Sequence, residues 1–524
     1  MNRDGRDSGV SLAELLAAFS FAMDLGLGQP MEHVLRSWRL AARLGERVGL
    51  SAEERAGLYY TAVLAWVGCV ADAPEVAAWF GDDIAFRADS YNVDLRGVSG
   101  AVFMLSHAGS SGPLRQRVRK VATLASTGGR DVERGIMSHC LTTSTMAERL
   151  GLGPNVGDAL RQFFARWDGK GVPGGVAGEE IALPMRLFHL ADVVEVLHRS
   201  AGVDAAVDVA RSRRGTQFDP ALVDAFCAAA GDLLLTDSDE PDCYELIAAE
   251  PALQRHLTGD ELDAALEVVA DFTDLRSSYR AGHSRAVADL AARAASVAGL
   301  TGTDTTLLRR AALLHDIGLH GVPTTILDKP GKLTATECER LRLNSYYTER
   351  VLARPAALAR IGAVAALAYE RMDGSGAHRG LSGPSIALAA RILGAGDSYQ
   401  AMTEPRPHRP ALSAKQAGAE LRAEVRHGRL DATAVNAVLA AAGQPRNRRR
   451  SGPHGLTPRE IEVLVLIARG ASTRQVARAL GISPKTAGTH IERIYTKTGS
   501  STRSTATLYA IQHGLLDTLY DADL

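Results

Sequence analysis

HVLRSWRLAARLGERVGL (residues 33–50) and HSRAVADLAARAASVAGL (residues 283–300) have the same length, and each opens on a histidine. In both, apolar residues recur at intervals of three and four, the spacing of an amphipathic helix with one buried face. Each segment has a later companion. Residues 166–197, RWDGKGVPGGVAGEEIALPMRLFHLADVVEVL, and residues 371–402, RMDGSGAHRGLSGPSIALAARILGAGDSYQAM, both run from an Asp-Gly-x-Gly loop into a helical stretch carrying one aspartate, Asp192 or Asp397. The order and the internal spacing agree, so the chain contains one helical unit twice.

The rest of the sequence supports that reading. At about 150 residues per domain, 524 residues predict roughly three or four domains. Hydrophobic residues are 46% and charged residues 23%, which excludes a wholly disordered or fibrous chain. Aromatic residues are 5% and β-branched alternation is rare, so an all-α architecture is expected. Cys69, Cys140, Cys227, Cys243 and Cys338 form no C-x-x-C pair, which excludes a thiolate zinc site and suits a reducing cytoplasm. No signal layout is read at the start, and no apolar run is expected to approach the ~18 residues of a membrane span. The 59 basic and 60 acidic residues nearly cancel, so charge must be read segment by segment.

Boundaries follow from composition. Helical periodicity over 11–235 gives way to an acidic, Pro-containing linker at 236–252. A second block covers 253–443, an Arg-, Pro- and Gly-rich tether 444–455, and a basic tail domain 456–524.

Within the second block, LLRRAALLHDIGLHGVPTTILDKPGKLT (residues 307–334) sets His315 and Asp316 at the polar end of an apolar helix. Adjacent helical residues diverge by about 100°, so both reach one ion only where the helix end faces a pocket. These residues resemble the HD phosphohydrolase superfamily, and more closely its HD-GYP branch, over most of both blocks. The resemblance implies a divalent metal held by His283, His315, Asp316 and Asp397, with Asp316 as the catalytic candidate. This mixed nitrogen and oxygen set suits Mn, Fe or Zn. The alternative is a buried hydrogen-bonded cluster without metal. Where the HD-GYP pattern has a lysine and further histidines, this chain has Leu319, Asn344, Ala368 and Tyr369, and Gly376-Ala377-His378 replaces Gly-Tyr-Pro. Two-metal hydrolysis of cyclic di-GMP is therefore not expected, whereas one-metal hydrolysis within 253–443 stays open. In the first block Ala65 and Trp66 replace the doublet, and Phe163 and Phe164 the paired histidines. Although His33, His139 and Asp192 remain, no metal is expected there.

The tail reads as four short helices. Thr457, Ser472 and Ser483 are N-caps, Pro458 and Pro484 first-turn prolines, and Gly470 and Gly481 turns. Helix, Gly turn, helix is the helix-turn-helix pattern. The third helix, expected to end at Tyr495, carries Lys485, Thr486, Thr489, His490, Arg493 and Lys497 on its exposed faces. The segment resembles the LuxR-type (NarL/FixJ-type) DNA-binding domain over its whole length. That resemblance implies that Lys485, Thr486, Thr489, His490 and Arg493 face double-stranded DNA, and that the chain works as a homodimer.

The expected whole is all-α: two tandem HD-domain-like units followed by a four-helix LuxR-type domain. It reads as a cytoplasmic transcriptional regulator whose HD-GYP-like units sense a metal, a phosphorylated or nucleotide ligand, or a partner. The alternative is a metal-dependent phosphohydrolase or cyclic-nucleotide phosphodiesterase with an attached DNA-binding domain.

Overall fold

The computed structural model describes residues 9–109, 114–127, 130–234, 242–443 and 455–517. Residues 236–241 of the linker expected at 236–252, residues 444–454 of the one expected at 444–455, and residues 518–524 of the tail lie outside the described residues; the rest of the first linker includes a helix, Cys243–Ala249. Helices make up nearly all the regular structure among the described residues, as expected. The sheet is one antiparallel pair, β1 (Val10–Ser11) and β2 (His256–Leu257), with Val10 opposite Leu257. The chain forms two compact units, residues 1–262 and 263–524.

In the first unit Ser11 starts α1 (Leu12–Gly26) with a capping box: its hydroxyl accepts from the Glu14 N–H, and the Glu14 carboxylate accepts from the Ser11 N–H. The chain turns into α2 (His33–Arg47) through Glu32, whose φ is +77°. A left-handed non-glycine residue costs about 1–2 kcal/mol, so the surrounding fold must hold it there. Asp24 Oδ1 helps by accepting the Val34 N–H at 3.1 Å. α2 packs on α3 (Ala52–Ala65) and on α4 (Leu183–Ser212), which kinks at Gly202. One run departs from expectation. Ala52–Phe80 has a window of mean hydropathy 1.3 that is long and apolar enough to cross a membrane, and 61% of that window is buried inside the protein. Its Asp72 is buried and ion-paired with Arg87.

The second unit repeats this entry. Helix α5 (Gly259–Asp274) precedes α6 (His283–Val297), and Gly282, φ +74°, stands where the first unit has Glu32. Asp274 Oδ2 accepts the Ser284 N–H at 2.9 Å, as Asp24 does for Val34. Val287, Leu290, Ala291 and Ala294 form the buried stripe of α6, which packs on α7 (Gly302–Leu314), α9 (Leu388–Thr403) and the helix Ala432–Ala442. Burying a side chain such as Leu290 contributes about 1.5–3 kcal/mol. Helix α8 (Ala335–Val351) covers the turn that follows α7.

The tail forms α10 (Pro458–Ala468), α11 (Thr473–Ala479), α12 (Pro484–Thr498) and α13 (Arg503–Gln512). Thr457, Ser472 and Ser483 cap the first three through their hydroxyls. α12 continues past Tyr495 to Thr498 and stops at Gly499, φ +65°. Val463, Leu464, Ile467, Val476, Ala487, Ile494 and Ala510 make its core.

Candidate metal centre and DNA-reading surface

His283 is the first residue of α6, His315 caps the end of α7, and Asp397 lies within α9, so three helices deliver side chains to one point. His283 Nε2 is 3.1 Å from Asp397 Oδ1, and His315 Nε2 is 3.5 Å from the same oxygen. Asp316 Oδ2 lies 3.2 Å from His315 Nε2 and 3.9 Å from His283 Nε2. All four side chains are buried.

The hydrogen bonds behind the cluster decide what it can hold. His315 Nδ1 donates to the Ala312 carbonyl at 2.7 Å, which leaves a lone pair on Nε2. That lone pair faces two carboxylate oxygens; Nε2 has no hydrogen-bond partner, and Asp316 Oδ2 meets only the Arg280 guanidinium. Acceptor against acceptor in a buried site is repulsive unless a cation lies between them. His283 Nδ1 meets Glu404 Oε2 at 2.9 Å, which turns its Nε2 to the same point. A carboxylate or carbonyl behind each imidazole is the arrangement that orients metal-binding histidines. The donor set therefore fits a divalent ion.

Electrostatics divide the two imidazoles. Burial pulls the His315 imidazole below its ordinary pKa, which favours the neutral, ligating form. Burial also opposes charge on Asp397, but the hydrogen bond from His283 and the closeness of both imidazoles outweigh it and hold the carboxyl well below its usual range. His283 is pulled down by burial but raised overall by the Glu404 charge and its hydrogen bonds. The far oxygen of Asp316 is taken: Oδ1 accepts from Tyr369 Oη at 2.7 Å and from Asn344 Nδ2 at 2.9 Å. Leu319 is buried nearby in sequence and offers no polar atom. Arg280 lies against Asp316 Oδ2. Sequence reasoning missed Arg280 and Glu404. Arg280 stands three residues ahead of His283 in the loop before α6, a legible cue, whereas Glu404 sits just past the end of α9 and carried none.

The first unit closes the equivalent point on itself. His33 Nε2 lies 3.1 Å from Asp192 Oδ1, and Nδ1 bonds Glu195. The Trp66 indole N–H donates to Asp192 Oδ1 at 3.1 Å. Burial lowers the His33 pKa, but the hydrogen bonds and charges of Asp192 and Glu195 prevail and push it up to about 10. His139 falls elsewhere, edge-on to Trp66 and stacked on Phe163. Cys69, Asp72 and His139 offer donor atoms within 4.8 Å of one another. Yet His139 uses both ring nitrogens, on Asp72 Oδ2 at 3.2 Å and the Ala65 carbonyl at 2.9 Å, and Arg87 neutralises Asp72.

On α12, Lys485, Thr486, Thr489 and Arg493 are exposed, while His490 is half-buried. Gly488 leaves open space where a side chain would stand. Lys497 stands on an exposed face, and its ammonium bonds Glu460 at 2.8 Å and the Gly455 carbonyl at 2.9 Å, tying α12 to the start of α10. Arg474, Arg478, Lys485 and Arg493 remain as exposed cations. Such a cluster suits a phosphate backbone.

Comparison with known proteins agrees with this geometry. Residues 267–434 match the HD domain model, and 454–510 match the model of bacterial regulatory proteins of the luxR family. The chain is 30% identical over 408 residues to the 3′3′-cGAMP-specific phosphodiesterase 3 of Vibrio cholerae, covering 76% of this chain and 88% of that protein. This chain belongs to the HD-GYP-type family of HD-domain proteins. A crystal structure of a cyclic GMP-AMP-specific phosphodiesterase from V. cholerae covers 84% of this HD-GYP chain and 99% of its own, with TM-score 0.58 and 27% identity. The cyclic di-GMP phosphodiesterase of Thermotoga maritima is 34% identical over 164 residues, 31% of this chain and 45% of that one. The HD-GYP chain thus carries a LuxR-family DNA-binding domain as its C-terminal segment, and its HD relatives are cyclic-dinucleotide phosphodiesterases.

Proposed function

We propose that this HD-GYP chain is a cytoplasmic DNA-binding regulator whose second unit binds one divalent ion, Mn, Fe or Zn, together with a cyclic dinucleotide. His283, His315, Asp316 and Asp397 hold the ion, and Lys485, Thr486, Thr489, His490 and Arg493 face DNA. The first unit, with its point closed by Trp66, serves packing or ligand sensing without metal. The ligand class is carried over from the relatives, with 3′3′-cGAMP first among candidates.

The observation that carries the reading is the loop between α5 and α6. Arg280 reaches Asp316, while its neighbour Tyr279 packs on Gly470 at the turn between α10 and α11. An added Cβ at Gly470 would fall 2.7 Å from the Tyr279 ring, so the two surfaces are in close contact. A change at the ligand cluster therefore has a short physical route to the DNA-binding domain.

A bound ion would supply Lewis acidity toward a phosphate oxygen. The chain's own part is to keep His315 Nε2 unprotonated through Ala312, to orient His283 through Glu404, and to cover Asp316 Oδ1 with Tyr369 and Asn344. One-metal phosphoester hydrolysis at Asp316 is the second reading, supported by the lone pair of His315 Nε2, which has no hydrogen-bond partner. The test is DNA affinity of the full chain with and without Mn²⁺ and 3′3′-cGAMP. A shift in affinity that vanishes in Asp316→Asn supports the regulator, whereas steady turnover with unchanged DNA affinity supports the enzyme.

A further inference from the structure

Arg280 stands three residues ahead of His283, and its guanidinium lies directly on Asp316 Oδ2, the oxygen that faces both imidazoles. The side chain is 16% exposed and its Nε has no acceptor. Other arginines in this unit hold carboxylates with two parallel bonds: Arg285 spans both oxygens of Asp271. Arg280 instead presses one nitrogen into a point where two imidazole edges and two carboxylates converge. It stands where those donors call for a cation. A second guanidinium, Arg406, is close enough for the two charges to oppose each other; it is held by the Tyr279 carbonyl at 2.7 Å and by Glu404 at 3.0 Å.

We propose that Arg280 and a divalent ion compete for Asp316 Oδ2, and that the displaced guanidinium becomes the anchor for a phosphate of the bound ligand. This rests on the metal reading given above. Two cations on one buried carboxylate oxygen repel each other strongly, so an arriving ion drives the guanidinium away. An arginine stem is long enough to swing without moving the backbone. Once displaced, the guanidinium stands beside Arg406 and an ion, a surplus of positive charge at that point. A phosphate, with several acceptor oxygens matching the planar fork, is the ligand class that compensates it.

The test uses the full-length protein stripped by chelation, titrated calorimetrically with Mn²⁺ alone and then, at saturating Mn²⁺, with inorganic phosphate. In Arg280→Gln, Mn²⁺ affinity should rise about tenfold and phosphate affinity should fall about tenfold, because one competing charge and one phosphate partner are lost. Arg280→Ala should behave alike, Arg280→Lys should fall between, and thermal melts establish that each variant is folded. Unchanged or weaker Mn²⁺ binding in both neutral variants overturns the competition, and unchanged phosphate binding overturns the anchor. Wild type and both neutral variants all failing to bind Mn²⁺ would sink the metal reading and the competition together. Normal wild-type binding with indifferent variants sinks the competition alone.

Discussion

The indole N–H of Trp66 donates to Asp192 Oδ1 at 3.1 Å, in the unit where the second copy instead brings His315 Nε2 to 3.5 Å from Asp397 Oδ1. A donor in one copy and a lone pair in the other turn the same helical frame to opposite chemistry. Each aspartate has a histidine at 3.1 Å; the first gains a second donor from within the chain, whereas the second has the His315 lone pair on its other side, an arrangement that a cation completes.

Metal content should follow that difference. The purified full chain is expected to hold about one divalent ion, by its single mixed nitrogen and oxygen set. His315→Ala and Asp316→Asn should empty it, and Asp192→Asn should leave the content unchanged. Glu404→Gln, which removes the carboxylate behind His283, should weaken affinity about 10- to 100-fold without abolishing it. Elemental analysis after dialysis reads all four; metal lost in Asp192→Asn would refute the assignment.

The first unit should show its own pH dependence. His33 is held at about 10 in the folded chain, against 6.5 as its ordinary value. A raised imidazole pKa contributes stability that is complete below about pH 6.5 and disappears as pH climbs through 10. Glu195, opposed by burial but lowered to about 2 by His33 and Arg36, contributes above its ordinary 4.5 and loses that contribution as pH falls toward 2. Melting temperature should therefore fall between pH 7 and 10, and His33→Gln should flatten that limb while starting lower. An identical slope in the variant would exclude His33 as the titrating group.

Hydrolysis of cyclic di-GMP should be slow or absent, below the ordinary enzyme range of about 1 per second. A second ion finds few ligands: Leu319 and Ala368 offer no side-chain donor, and Tyr369 and Asn344 are spent on Asp316 Oδ1. One ion cannot clamp both the attacking and the leaving oxygen. Any residual activity should vanish in Asp316→Asn and survive in His378→Ala, whose imidazole is paired with Glu349 away from the cluster. Fast turnover that depends on Asp316 would establish the enzyme reading.

DNA binding should respond to salt and to two side chains. Lys485→Ala or Arg493→Ala should cost about 1–3 kcal/mol if the residue reads a base, and should weaken all sequences alike if it touches phosphate. Lys497→Ala should act differently, lowering the melting temperature of the domain, since Lys497 joins α12 to Glu460 and Gly455. A mobility shift unchanged in both of the first two variants would mean that another face reads DNA.

Much of this was legible because it is written in local signals. The paired histidine-led helices, the capping boxes at Thr457 and Ser472 and the missing doublet at Ala65 and Trp66 are short-range patterns. What was hidden depends on three-dimensional convergence. Nothing local says that Tyr369 and Asn344 meet one oxygen of Asp316, or that His139 leaves His33 and Asp192 for Asp72. Helical spacing sets Lys497 on an exposed face, where it stands, but only the packed domain shows its ammonium tied to Glu460 and Gly455. The apolar run Ala52–Phe80 is broken in the sequence by Glu53, Glu54, Arg55, Asp72 and Glu75, which shorten its uncharged stretch.

The last expectation concerns communication between the cluster and DNA. Tyr279 has two commitments: its carbonyl accepts from Arg406 at 2.7 Å, beside Glu404 and His283, and its ring lies on Gly470. Gly470, φ +87°, is at the turn into α11, and its carbonyl accepts from Arg503 at the start of α13. Any shift of Arg280 or His283 therefore moves a residue that touches the turn between two helices of the DNA-binding domain. If ligand binding is coupled to DNA through this contact, the full chain should change DNA affinity about 5- to 150-fold on adding Mn²⁺ and ligand, the usual range for such coupling. Tyr279→Ala should reduce the change to within about twofold while leaving Mn²⁺ uptake intact, because the ring itself ligates nothing. Fluorescence anisotropy of labelled DNA, with Mn²⁺ uptake measured on the same sample, separates lost coupling from lost binding. Full coupling in a Tyr279→Ala protein that still takes up metal would mean that the signal travels elsewhere.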